Sequence, residues 1–390
     1  MSAMADDLLR FRPEFPILEH TTYLISNSLG AMPRQVYDAM HGYAEQWATR
    51  GVRAWEEWWM LAAEVGNQVG ALMNAPANSV ALHQNVTTCE AVVASCFDFQ
   101  GRRNKIVYDA LNFPSIMYFW EGQRARGARV EMVPTEGGIE VNTQRLLDAI
   151  DEETLLVPIS HVVFRSAFIQ DVAAIVEKAH RVGALVVLDS FQALGTVPFD
   201  VQKLNVDFCV GGVLKWLCGG PGTAYLYVRP DLAAKLQPGF TGWMAHQQPF
   251  AFEIGPIRYT SGAYKFMNGT PNVAALCAAR PGLQIVAAAG LENIRAKSKR
   301  QTARLIEMAE QRGWRVNTPR DAERRGGTVS IDVPNAAEVC AALLARDVLV
   351  DYRPKAGVRL SPHFYNKDEE LDAGIAAMEE IVAEMGAAAR

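Results

Sequence analysis

The chain predicts an α/β fold: a three-layer αβα large domain built on a mainly parallel sheet, followed by a smaller α+β C-terminal domain. Three observations carry this expectation. Between Val80 and Val228, short apolar runs alternate with stretches of helical periodicity, the pattern of βαβ units whose strands are covered on both faces. After Asn268-Gly269-Thr270-Pro271 the order changes to two long helical patterns, strand-like runs and a closing helix. With 390 residues, 49% of them hydrophobic, the chain can bury one large core and a satellite.

Residues 1–50 read as an N-terminal arm with a turn at Asn27-Ser28-Leu29-Gly30, leading into a first helix rich in Trp and Tyr. Residues 51–270 hold the large domain, with strands expected at 105–108, 129–133, 155–159, 185–188, 208–210 and 224–228. The segment 172–181 repeats its apolar residues at helical spacing and stops at Gly183, a C-cap residue. Residues 271–390 form the small domain: helical patterns at 273–289 and 291–312, strand-like runs at 328–333 and 348–350, and a helix from about 369 to 385. A size of about 120 residues suits a small domain.

Composition narrows the function classes. Lys and Arg number 38 against 43 Asp and Glu, a net charge of −5, and no basic block carries interleaved aromatics, which argues against a nucleic-acid partner. Met1-Ser-Ala-Met-Ala-Asp-Asp7 lacks the basic and apolar regions of a signal peptide, and no apolar run is long enough to span a bilayer, so a cytoplasmic location without a membrane partner is expected. The six cysteines and seven histidines show no CxxC pair, no HxxxH pair and no metal-ligand spacing, so no metal is expected. No GxGxxG follows the first strand, which argues against a dinucleotide enzyme.

The chemistry concentrates where strands end. Ala184-Leu-Val-Val-Leu-Asp189 closes an apolar strand on a carboxylate, and Val210-Gly-Gly-Val-Leu-Lys215-Trp216 places a lysine after the next one. Ligands on parallel sheets bind beyond the carboxyl ends of the strands, and Ser160, Asp189 and Lys215 all fall there. A buried lysine must be paired, shifted in pKa or covalently modified. Together the two residues can hold pyridoxal phosphate at both ends, Asp189 on the pyridine nitrogen and Lys215 on the aldehyde. Asn85-Val86-Thr87-Thr88, between a strand and a helix, offers N–H and hydroxyl donors for a phosphate, with Thr87 the first candidate; the same segment also reads as an ordinary N-cap. Phe113, in the loop after the next strand, could stack on the pyridine ring or belong to the core.

These residues carry a resemblance. Tyr23-Leu-Ile-Ser-Asn27-Ser28-Leu29-Gly30, Phe113-Pro114-Ser115, Lys215-Trp216-Leu217-Cys218-Gly219-Gly220-Pro221-Gly222, Gly242-Trp243 and Gly357-Val358-Arg359-Leu360-Ser361-Pro362 resemble motifs of the fold type I pyridoxal phosphate enzymes, in the class V aminotransferase superfamily. Within that superfamily the chain is most similar to the kynureninases. The resemblance spans nearly the whole chain. It implies that Lys215 bears the cofactor, Asp189 pairs with the pyridinium, Phe113 stacks on the ring, and Val86 and Thr87 hold the phosphate. It also implies that Ser160 and Gln192 lie beside the ring, that Trp243 and Thr270 close on the cofactor from a partner subunit or neighbouring loop, and that Arg359, with the Asn27-Ser28 turn, receives the substrate. Before the resemblance is counted, a surface ion pair is the favoured reading of Arg359.

The chain departs from the kynureninase pattern at Leu214, Ile116 and Gln192, where that family carries a tyrosine, an acidic residue and a histidine, and it lacks the histidine ahead of Gly51-Val-Arg53-Ala-Trp55. The resemblance implies a homodimer acting on an L-amino acid by hydrolytic Cβ–Cγ cleavage that releases alanine, with Tyr23, Trp55 and Trp243 as candidate aromatic walls. Transamination is the runner-up. A C–S lyase or desulfurase ranks lower, because Cys340 reads as a helix position, and a silent cofactor-binding protein ranks lower still, because Lys215 and Asp189 are both retained.

Overall fold

The computed structural model describes residues 7–388, and the start of the segment read as leader-free, residues 1–6, lies outside the described residues. Two short 3-10 turns, Asp7–Glu14 and Pro16–Glu19, lead into strand β1 (Thr22–Tyr23), the 27–30 turn, and helices α1 (Gln35–Arg50) and α2 (Trp55–Leu72). The arm lies along the C-terminal part of the chain. Phe15 packs on Tyr365 with ring centres 4.7 Å apart, and Arg12 pairs with Glu370 at 2.8 Å.

The large domain follows in alternation: β2 (Val80–His83), α3 (Val86–Ala94), β3 (Lys105–Asp109), α4 (Pro114–Gly122), β4 (Arg129–Val133), α5 (Thr143–Ala149), β5 (Thr154–Ser160), α6 (Val172–Val182), β6 (Leu185–Asp189), α7 (Val201–Leu204), β7 (Phe208–Gly212), β8 (Ala224–Val228) and α8 (Pro230–Lys235). The seven strands form one sheet in the order β2-β8-β7-β6-β5-β3-β4. β8 runs antiparallel to both of its neighbours, and the pairings among the other strands are parallel, as the apolar runs predict. Val186, Val187 and Leu188 are fully buried because helices cover both faces of the sheet. α6 ends where the sequence places its cap, at Gly183 with φ 77°.

Helices α9 (Val273–Ala289) and α10 (Leu291–Gln311) then lead to β9 (Arg315–Val316), β10 (Val329–Asp332), α11 (Ala336–Ala345), β11 (Val348–Leu349), β12 (Asp351–Arg353), β13 (Gly357–Leu360) and α12 (Asp368–Ala388). A four-stranded antiparallel sheet in the order β12-β13-β10-β9 carries the second core. β1 pairs in parallel with β11, so the arm is stitched to this half of the chain. α9 packs on α1 and α2, with Val273, Leu276 and Leu283 in the core of the large sheet, so that core extends past residue 270. α10 spans both cores, with Ile294 in the first and Leu305 and Ile306 in the second. No single helix among the described residues is long and apolar enough to cross a membrane.

One buried carboxylate ties three elements of the large domain. Asp207 accepts the Val186 N–H at 2.7 Å and faces His180 Nε2 at 2.9 Å and Arg229 Nη1 at 2.9 Å, joining β6, α6 and the end of β8. Removing it strands the Val186 N–H and takes from Arg229 its buried partner, leaving that guanidinium its exposed fork on Asp231. Asp207→Ala is expected to cost about 3 to 5 kcal/mol, read as a lowered urea midpoint with an unchanged slope; a loss below about 1 kcal/mol would show that the cluster contributes little.

Candidate active site

β5 and β6 lie side by side with Ser160 opposite Asp189, and β7 adjoins them, so their carboxyl ends form one floor. Above it is a cavity of about 270 Å³ lined by Asn85, Val86, Thr87, Phe113, Ser115, Ile116, Ser160, Val162, Phe164, Asp189, Phe191, Gln192, Leu214 and Lys215. Seven of the predicted cofactor residues therefore meet in one place: Val86, Thr87, Phe113, Ser160, Asp189, Gln192 and Lys215. Ile116 and Leu214 join them.

The turn that carries Lys215 is clamped by backbone. Gly30 N–H donates to the Leu214 carbonyl at 2.8 Å, and Cys218 N–H to the Lys215 carbonyl at 3.0 Å. A side chain at Gly30 would begin 2.2 Å from the Lys215 carbonyl oxygen, closer than any Cβ can sit, so the Asn-Ser-Leu-Gly turn needs its glycine. The Lys215 amine has no ion pair among the described residues and lies 4.3 Å from the centre of the Phe191 ring and 5.5 Å from that of Phe113. Burial lowers its pKa to about 8, against the pull of the Asp189 charge. Asp189 accepts the Phe191 N–H at 2.9 Å, and burial pushes its carboxyl up to about 6. Each group lacks a full counter-charge.

At the other end Asn85 caps α3 by accepting the Thr88 N–H at 2.9 Å, so the ordinary N-cap reading holds for Asn85, while Thr87 faces the cavity. The Ser160 hydroxyl donates to Asn112 Oδ1 at 2.8 Å, and Asn112 is anchored to the Pro158 carbonyl at 2.9 Å. Gln192 is a brace: its amide donates to the Asn27 carbonyl at 2.9 Å and accepts the Trp216 indole N–H at 2.9 Å. The donor set fits pyridoxal phosphate. An amine without an ion pair, a buried carboxyl in need of a cation, aromatic faces, and a helix N-terminus with a hydroxyl are what the aldehyde, the ring nitrogen, the ring and the phosphate require.

Other predicted residues are placed differently. Arg359 lies on β13, buried, with its guanidinium forked onto Asp351 and its Nη1 donating to the Phe164 carbonyl at 2.6 Å. It is thus an ion pair, though not a surface one, and it touches the cavity wall through Phe164. Asn27 is buried with both side-chain polar atoms unpartnered, and Ser28 is half-buried beside it. Trp243 packs with Trp59, Phe250 and Phe252, Thr270 is exposed ahead of α9, and neither lines the cavity. Tyr23 spends its hydroxyl on the Leu29 carbonyl and Trp55 packs on Trp58, so the walls are not Tyr23, Trp55 and Trp243 but Phe113, Phe164 and Phe191. Phe191 had a signal in its position two residues after Asp189. Phe164 and Val162 sit in an irregular loop that periodicity does not reach.

Two outcomes follow from this geometry. Gly30→Ala should displace the Lys215 turn and cost roughly 1 to 3 kcal/mol by overpacking, with reduced cofactor retention on gel filtration; full retention would show that the turn can yield. In cofactor-free protein, fixation of pyridoxal phosphate on Lys215 by borohydride should rise with pH and level off above about 8, where the amine is neutral; an inflection near the ordinary lysine value would contradict the burial argument.

Known proteins resemble this chain over nearly its whole length. Residues 22–373 match the aminotransferase class-V family. The kynureninase of Shouchella clausii (strain KSM-K16) is 30% identical over 383 residues, covering 94% of this chain and 89% of its own. An uncharacterized aminotransferase, YcbU, of Bacillus subtilis (strain 168) is 29% identical over 362 residues, covering 93% and 95%. Among solved structures, the apo cysteine desulfurase of Thermococcus onnurineus NA1 superposes with a TM-score of 0.86 at 22% identity, covering 98% of this chain and 100% of that one. A C-DES mutant with glycine covalently linked to its PLP cofactor gives 0.85 at 20% identity, covering 94% and 98%. At such identities the two structures speak for the fold. The chain belongs to the class-V aminotransferase family, the pyridoxal phosphate-dependent superfamily that its motifs resemble.

Proposed function

We propose that this protein is a pyridoxal phosphate enzyme that cleaves the Cβ–Cγ bond of an L-amino acid with a γ-oxo side chain, releasing alanine, as a kynureninase-like hydrolase. The observation that carries the reading is the Lys215 amine, without an ion pair and lowered to about 8, facing aromatic walls above a buried Asp189. The cofactor supplies an aldehyde for the lysine and an electron sink for bonds to Cα. Asp189 keeps a proton on the pyridine nitrogen, because a cation there relieves the burial that pushes its carboxyl up to about 6. Lys215, neutral in a useful fraction near pH 8, takes the proton from Cα and returns one to Cβ. Arg359, oriented by Asp351, and the unpartnered Asn27 amide are suited to the α-carboxylate. The phosphate belongs at the N-terminus of α3 beside Thr87.

Two features support the aryl-oxo substrate: the walls Phe113, Phe164 and Val162 take a flat apolar side chain, and relatives at 28–30% identity are named kynureninase. Transamination is the second reading, favoured by the apolar Ile116 and Leu214 and by the aminotransferase name of the Bacillus subtilis relative. The desulfurase fold neighbours carry less weight, since Cys340 sits 6% exposed on α11, with its thiol toward the Val350 carbonyl.

A homodimer is part of this reading. α1 buries none of its residues, yet Tyr37 and Trp47 on it are 67% and 63% exposed, and Phe250, Phe252 and Ile254 lie open on the loop that carries Trp243. Such a surface on a metabolic enzyme calls for a second copy, which would also bring Trp243 and Thr270 to a cavity edge.

The holoprotein should be yellow, and borohydride should fix the label on Lys215 alone; Lys215→Ala should fold and lose the label, and a label on another lysine would overturn the assignment. L-Kynurenine should yield alanine and anthranilate in equal amounts with no oxo-acid co-substrate, whereas turnover that depends on pyruvate and gives no anthranilate would move the assignment to transamination. Arg359→Ala should lower kcat/KM by roughly 2 to 4 kcal/mol in transition-state terms. Light scattering at micromolar concentration should give twice the mass of the chain, and a fully active monomer would rule out the dimer.

A further inference from the structure

Besides Lys215, one cation beside the cavity wall is without an ion pair among the described residues. Arg359 is forked onto Asp351, but Arg165, which follows Phe164 in the loop between β5 and α6, has no ion pair and no side-chain hydrogen bond among the described residues. Its guanidinium carbon lies 5.3 Å from the centre of the Phe164 ring, and Phe164 lines the cavity and meets Phe113 edge to face at 5.2 Å.

The backbone around Arg165 is the opposite case. The Phe164 carbonyl accepts Arg359 Nη1 at 2.6 Å, and the Arg165 carbonyl accepts the Ser330 hydroxyl at 2.5 Å, so neighbouring strands β13 and β10 hold two successive carbonyls. Val163 N–H donates to the Phe168 carbonyl at 2.8 Å and Ala167 N–H to the Val163 carbonyl at 2.9 Å. Ala167 is kept at φ 61°, a left-handed conformation that costs a non-glycine residue about 1 to 2 kcal/mol. A loop fixed this firmly holds a half-buried guanidinium over the back of a cavity wall, Phe164, without an ion pair to occupy it.

The walls next to that charge are apolar: Phe164, Phe113, Val162 and Ile116. A flat ring fits against them, and a carboxylate carried on that ring beside Phe164 would meet a guanidinium already stacked on Phe164, an arrangement suited to a charge-assisted fork. We infer that Arg165 is a binding residue for a carboxylate carried on an aromatic ring.

This inference deepens the proposed hydrolytic function, and its biological meaning rests on that reading. In R–CO–CH2–CH(NH3+)–COO− + H2O → R–COO− + CH3–CH(NH3+)–COO− + H+, the Cβ–Cγ bond breaks, oxygen from water bonds Cγ, and Cβ gains a proton. No oxidant or reductant is needed. The departing fragment is an aryl carboxylate, the species Arg165 would hold; before cleavage the same guanidinium would meet the γ-carbonyl oxygen that becomes part of this carboxylate and position it.

The test compares sodium benzoate with benzamide, its neutral isostere, by calorimetric titration of the holoenzyme. Wild type should bind benzoate about tenfold more tightly, the scale of one charge-assisted contact. Arg165→Ala should bring the two ligands close to equal, and Arg165→Lys should restore part of the preference. Arg165→Met, which keeps an apolar stem over Phe164, should behave as Arg165→Ala, and unchanged cofactor absorbance in each variant reports an intact site. A benzoate preference that survives in Arg165→Ala and Arg165→Met, or is missing from wild type, overturns the inference. Kynurenine turnover with an Arg165-independent benzoate preference would sink this inference alone, whereas an Arg165-dependent preference without kynurenine turnover would sink the hydrolytic reading alone.

Discussion

Asp189 and Lys215 are opposite charges buried in one cleft without an ion pair between them, and much of the surrounding structure answers to that constraint. Burial raises the acid to about 6 and lowers the amine to about 8, so each is drawn toward its neutral form. A contact ion pair would relieve both and leave an inert site. Instead the carboxyl is anchored by the Phe191 N–H, and the amine is held over the Phe191 and Phe113 rings. A molecule with a cationic nitrogen at one end and an aldehyde at the other resolves both shortages at once.

Keeping the two groups apart takes both halves of the chain. The parallel sheet sets Asp189 at the end of β6, but the Lys215 turn is irregular and depends on the N-terminal turn pressed against its backbone at Gly30. Gln192 bridges that turn to Trp216. The four-stranded sheet reaches the same cleft from the other side, through Arg359 and Ser330 on the Phe164 and Arg165 carbonyls. The apolar lining raises the energetic stakes of each polar group in it, since an unpaired charge in low dielectric is costly and a paired one is strongly held.

The sequence was most readable where local pattern and burial coincide. Strands β3 and β5 to β8 are apolar runs covered on both faces, and Asp189 is conspicuous as the charge that ends one of them. Lys215 was visible for the same reason, as a cation followed by a glycine-rich turn. The hairpin of β12 and β13 was not predicted as strands because its residues are few and charged, with the turn passing through Lys355 at φ 67°. The pairing of Arg359 with Asp351 follows from the β12–β13 register, which period-2 patterning over three or four residues does not fix. The resemblance implies that Gln192 lies beside the ring, but its brace spans 165 residues of sequence and no local pattern encodes it. The walls went to Phe164 and Phe191 rather than Tyr23 and Trp55 because tertiary packing, and not aromatic content, decides which rings face a cavity.

The claim on which the account turns is that Asp189 holds a proton on the cofactor's ring nitrogen. Nitrogen-15 NMR of the holoenzyme, reconstituted with pyridoxal phosphate labelled at that nitrogen, reads the proton directly. The account predicts a protonated nitrogen in wild type at pH 8 and an unprotonated one in Asp189→Ala. An unprotonated nitrogen in wild type, or the same signal in both proteins, would contradict it.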